Sequence, residues 1–273
     1  MNETLATVDV SAFPSRRYAP VGRCIYCGTF SAKLGKEHII PFGLAGNALV
    51  LAKASCGTCE SITGGFEQSC LRTILGPFRL RVGSPTRNPK ERPDKLPLTL
   101  AKLVREEPVA TETILVPVQE FPLVFLGLRM RAAGILSRDD PAESDKIIDF
   151  ALWTRHNEED TKKYMGAAGS AVRLGQIKPR FFGQMVAKIA YSWAVAEFGY
   201  GNFKPLVTDF ILGKTGIMNH WVGGDWEIPP PTKAAFEIKG TVREERGRKF
   251  LLVNVRLFSF FETPQYHVVV GEI

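Results

Sequence analysis

The chain contains no run of about 18 apolar residues, the length at which a helix begins to span a bilayer. Its first twenty residues, MNETLATVDVSAFPSRRYAP, place acidic residues early and lack the basic-then-apolar order of a secretory leader. Cysteine is scarce: five in 273 residues are poor material for a secreted disulfide framework. Neither an internal repeat nor a low-complexity tract is present. These absences lead to the expectation of a cytoplasmic protein with no membrane-spanning part. Disorder is excluded too, because 45% of residues are hydrophobic and 23% charged, a balance that permits a sizeable core.

The few cysteines are concentrated. Cys24 and Cys27 form one Cys-x-x-Cys pair, Cys56 and Cys59 a second, with 28 residues between the pairs. Four thiolates are the preferred tetrahedral set for a structural zinc ion, so residues 24 to 67 read as a metal-built unit. The interval holds Glu37-His38, then Ile39-Ile40-Pro41, a loop marked by Gly43 and Gly46, and an apolar stretch over 48–52. This order predicts a strand reaching His38 and Ile39-Ile40 and ended by Pro41, a second strand, and a short helix beyond Cys59. Gly64-Gly65 would weaken that helix by about 1 kcal/mol per glycine relative to alanine. Cys70, outside the pairs, is expected to be a small buried thiol.

Charge is unevenly spread. Residues 1–95 hold 13 Lys and Arg against 7 Asp and Glu, whereas residues 96–273 hold 22 against 21. The excess therefore falls on the metal unit and its tail, where Arg72, Arg79, Arg81, Arg87, Lys90 and Arg92 form a basic run suited to a phosphate backbone. Four segments follow from these features: a mobile arm over 1–20, the metal unit over 21–84, a basic Pro-rich linker over 85–97, and a separate α+β domain over 98–273. In the last, apolar runs at 113–118 and 122–128 predict strands. A long, centrally buried helix is expected at about 180–199, opened by Pro179 and closed by Gly199. A shorter helix is expected over 205–213, and a β-hairpin or meander over 236–271.

Residues 20 to 95, through CxxC, EHIIP, a Gly-rich loop, a short apolar strand, ASCxxCE and ITxxFE, resemble the HNH endonucleases of the ββα-metal type. The resemblance implies an α+β fold whose N-terminal ββα unit is stapled by zinc, and a DNA endonuclease activity. Carried over, His38 is the general base that activates water and Glu37 helps bind a catalytic Mg2+ or Mn2+ ion. Glu60 stands where the commonest family pattern has His or Asn as a ligand of that ion, and Glu67, seven residues on, shares its helical face. Asn47 falls at the middle Asn of the pattern, which orients the catalytic loop. Neutral imidazole suits water activation, and a carboxylate-bound cation suits relief of phosphoryl charge. A second reading, in which Glu60 marks a decayed site and the zinc unit only binds nucleic acid or protein, shares the same zinc, charge and fold. His156, His220 and His267 lie in ordinary contexts. Trp221 and Trp226, beside Gly223-Gly224, read as a packed turn before a stacking surface for bases.

Overall fold

Pro179 opens a helix without needing its missing N–H, and Gly199, at φ 88°, closes it where a side chain would be strained. The helix Pro179–Phe198 that results is the axis of the molecule, with every residue from Phe182 to Val195 buried. The computed structural model describes residues 3–9, 15–105, 107–146, 150–164, 170–173 and 175–273. No described helix is long and apolar enough to cross a membrane.

One face of this central helix packs on an antiparallel sheet. Strands Phe236–Glu245 and Arg248–Leu257 form a hairpin paired from Phe236↔Leu257 to Glu245↔Arg248, and Gln265–Glu272 follows as the third strand. Arg246 and Gly247, at φ 52° and 73°, make the tight turn that the charged EERGR stretch announces. A Cβ at Gly240 would sit 2.8 Å from Phe198 and 3.1 Å from Trp193, so glycine lets helix and sheet approach closely there. Gly223 and Gly224 pair with His267 and Tyr266, and a Cβ on Gly223 would meet the Ala133 backbone at 2.3 Å.

The opposite side carries a small sheet. Strand Leu49–Ser55 is central, antiparallel to Gly35–His38 and parallel to Arg16–Tyr18, and the helix Gly57–Arg72 follows it directly. That helix is 16 residues long rather than short. Gly64 and Gly65 do not break it, because packing of Phe66 and Cys70 into the core outweighs their local propensity. Cys70 is buried as expected.

Two expectations about layout are corrected. Residues 1–20 are not a free arm where they are described: Glu3–Asp9 pairs with residues 237–242, occupying an otherwise open sheet edge, and Arg16–Tyr18 joins the small sheet. Nor do residues 98–273 form a separate core. Ile39, Leu51, Phe66 and Phe78 belong to the same buried cluster as Tyr191, Trp193, Phe236 and Val268. The Pro-rich stretch leads into a smaller sheet, Lys95–Val104 between Glu107–Pro117 and Ser170–Arg173, which has its own cluster of Leu96, Leu98, Val116, Val118 and Phe121. The helix expected over 205–213 is confined to Thr208–Ile211, ended by Gly213 at φ 75°.

Candidate metal centre and cleft

The four paired cysteines converge. Their Sγ atoms all lie within 4.8 Å of one another, and Cys27 Sγ stands 3.7 Å from Cys56 Sγ. A tetrahedron with zinc–sulfur arms of about 2.3 Å has edges of about 3.8 Å, so the quartet could hold one zinc ion. Burial and the neighbouring thiol groups, Cys24 foremost among them, push the Cys59 thiol far above its ordinary value. Joint ionisation of the quartet therefore calls for a cation. Backbone geometry brings the pairs together. Gly28, at φ 73°, turns the first knuckle so that its N–H donates to the Cys24 carbonyl. A bulge around Lys53, at φ 46°, turns the carbonyls of Ala52, Lys53 and Ala54 toward the N–H groups of Val21, Gly22 and Ile25.

Beyond the metal centre, the end of strand Gly35–His38 and one face of helix Gly57–Arg72 line an open cleft of about 710 Å³. His38, Glu37, Glu60, Glu67, Arg72, Arg79 and Arg87 all line it, joined by Lys36 and Lys188. His38 Nε2 is 3.1 Å from Asn47 Oδ1. With the amide oxygen accepting, the ring proton resides on Nε2 and Nδ1 is left to take up another. Burial lowers the imidazole below its ordinary 6.5; the Asn47 bond opposes this, while Lys36, Lys188 and Arg87 reinforce it. The ring is thus neutral at neutral pH. An NMR titration of the His38 ring should show a midpoint below 6.5, and a midpoint at or above 6.5 would contradict this environment.

The carboxylates divide into two kinds. Glu60 is exposed at the cleft's edge, beside Gly35. Glu37 and Glu67 instead face the ammonium of Lys188, whose side chain is 1% exposed: Nζ lies 2.5 Å from Glu37 Oε1 and 2.8 Å from Glu67 Oε1. Both contacts lie within the range of a charge-assisted hydrogen bond. Burial alone would lower Lys188, but the two facing carboxylates more than offset it and hold the ammonium charged. Burial raises the Glu37 carboxyl, against the pull of Lys188.

The expectation that Glu37, Glu60 and Glu67 share one catalytic cation is therefore corrected. Among the described residues the cysteine quartet is the one group of three or more His, Cys, Asp or Glu side chains whose ligand atoms lie close enough for a single ion. An ammonium fills the space between Glu37 and Glu67, and two groups of like positive charge cannot share it. The basic run is corrected in part as well. Arg81 turns away from the cleft, donating to the Phe121 carbonyl and lying 3.8 Å from Asp160. Arg79 borders the cleft yet donates to the carbonyls of Leu71 and Gly43, which makes it a brace between helix and loop. Arg92 is tied to the Ser84 carbonyl and, with Arg87 and Asn88, lines an adjoining hollow of about 220 Å³. Lys90 lies in a single 3-10 turn, Pro89–Glu91.

Of the remaining candidates, His220 is buried against Ser144 Oγ at 2.8 Å, and His267 pairs with Asp225 at 3.1 Å. The Trp226 ring lies under the guanidinium groups of Arg129 and Arg131. Lys188 was missed by motif reasoning. Its signal was present, however, as the one charged residue between Arg180 and Glu197 in an otherwise apolar helix.

Compared with family models, curated proteins and solved structures, the chain finds no match.

Proposed function

We propose that this chain hydrolyses phosphodiester bonds of nucleic acid, DNA being the expected substrate, in the cleft around His38. The observation that carries the reading is a neutral imidazole, oriented by Asn47, opening on a cleft rimmed by Lys36, Arg72 and Arg87. Zinc on the cysteine quartet would tie the first knuckle to the start of helix Gly57–Arg72, which with the end of strand Gly35–His38 lines the cleft. His38 Nδ1 accepts a proton from water as the water oxygen bonds to phosphorus, the bond from phosphorus to the leaving sugar oxygen breaks and that oxygen takes a proton from solvent, while the rim cations relieve charge on the phosphoryl oxygens. The resemblance of residues 20 to 95 to HNH endonucleases supports the same assignment of His38. A divalent Mg2+ or Mn2+ cofactor belongs to that resemblance, yet the three carboxylates expected to hold it do not fit one ion. No step is therefore assigned to it, and Glu60 is the carboxylate among them that remains open to the cleft.

The test is nicking of supercoiled plasmid by zinc-loaded protein, with Mg2+ or Mn2+ supplied in one arm and withheld in another. Conversion to open circles is expected. Absence of cleavage of duplex DNA, single-stranded DNA and RNA in every arm would transfer the cleft to the second reading, a zinc-built module that binds without cutting.

A further inference from the structure

The buried charges beneath the cleft are a separate feature from its reactive face. Lys188 projects from the middle of the central helix and meets four groups at once. Two are the Glu37 and Glu67 carboxylates, from strand Gly35–His38 and helix Gly57–Arg72. The others are backbone carbonyls: Nζ donates to that of His38, and lies 3.4 Å from that of Ile39. One turn further along, Tyr191 donates its hydroxyl to the Ile25 carbonyl at 2.8 Å, so the same helix also grips the first cysteine knuckle. An ammonium has three hydrogens and accepts nothing, so it suits a site made only of acceptors.

We propose that Lys188 is the positioning residue of the cleft. Its ammonium takes the central place between Glu37 and Glu67 and closes both carboxylates to divalent cations. Through the His38 and Ile39 carbonyls it also fixes the strand end that carries the His38 ring. The inference builds on the reading of His38 as the reactive group, but the placement of Lys188 is tested without any cleavage assay. Two carboxylates, one ammonium and two carbonyl oxygens make a closed cluster with a net charge of −1. Removal of the ammonium would leave two carboxylates facing one gap, the arrangement that hard divalent cations seek.

The experiment is a Mn2+ titration of zinc-loaded protein, followed by the EPR signal of the free ion. Glu67→Gln should leave Mn2+ affinity within about two-fold of wild type, whereas Lys188→Met should bind Mn2+ at least about ten-fold more tightly, a difference of about 1.4 kcal/mol. A larger loss of affinity in Glu67→Gln would overturn the inference by making Glu67 a ligand. So would a folded Lys188→Met protein that gains no affinity. If Lys188→Met does not fold, Glu67→Gln alone decides, since Glu37 still pairs Lys188 in that variant. The positioning role has its own readout: the His38 ring resonance should shift in Lys188→Met, and an unmoved resonance would overturn that part. Failure of wild type to nick any substrate would count against the cleavage reading and leave the Mn2+ result standing.

Discussion

Cys59→Ser should lose bound zinc and lower the melting temperature by roughly 6 °C or more. Structural zinc contributes about 10–16 kcal/mol of apparent binding free energy in zinc-finger peptides at neutral pH. Loss of even a third of that exceeds about 3 kcal/mol, and each kcal/mol shifts Tm by roughly 2–4 °C in a chain of this size class. The effect should be large because the quartet closes several elements together. Cys56 and Cys59 begin helix Gly57–Arg72, Cys24 and Cys27 hold the knuckle docked on the strand bulge, and the knuckle is tied in turn to the central helix through Tyr191. Because the core is shared, the loss should reach the central helix rather than remain local, and hydrogen exchange should show faster exchange there. Cys70→Ala is the control: its thiol is buried outside the quartet, so one zinc per chain should be retained. A Cys59→Ser protein with full zinc content and unchanged Tm would refute the metal centre.

His38→Ala should reduce plasmid nicking by about 10²–10⁴-fold, the usual contribution of a positioned acid–base group. Zinc content and melting should stay near wild type, because the ring is only half-buried and its side chain bonds to Asn47 rather than to the core. Asn47→Ala should give a smaller loss, since it frees the tautomer and orientation of the ring without removing it. Retention of wild-type nicking by zinc-loaded His38→Ala would remove His38 from the chemistry, whatever the cleft then does. A loss of activity accompanied by a loss of zinc would instead report on folding, which is why metal content is measured in each variant.

Local order was legible along the chain where a short-range rule governs it. Pro179 and Gly199 bound the central helix and EERGR marks the hairpin turn, whereas the first strand stops at His38, short of the expected Ile39-Ile40, and Pro41 precedes the helix Phe42–Ala45. The cysteine spacing announced a four-thiol cluster, and that cluster forms. Of the site, the motif placed His38, Asn47, Glu60 and Glu67 in one neighbourhood, and the cleft or the His38–Asn47 bond includes each of them. The basic run was legible as charge but not as direction. Arg81 and Arg92 spend their guanidinium groups on nearby carbonyls, which no count of positive residues can reveal.

The sequence by itself determined the central helix, the C-terminal hairpin, the four-cysteine set that could hold zinc and the imidazole at the strand end, because each depends on residues near one another in the chain or on strongly specific spacing. Only the tertiary structure decided what Glu37 and Glu67 do. Their partner, Lys188, is about 150 and 120 positions away in sequence, and its ammonium arrives between them because the central helix passes beneath the cleft. The choice between a cation ligand and a buried ion pair is made by that through-space approach. Carboxylates that could have faced a metal ion face an ammonium instead, since burying two negative charges demands the nearest positive one.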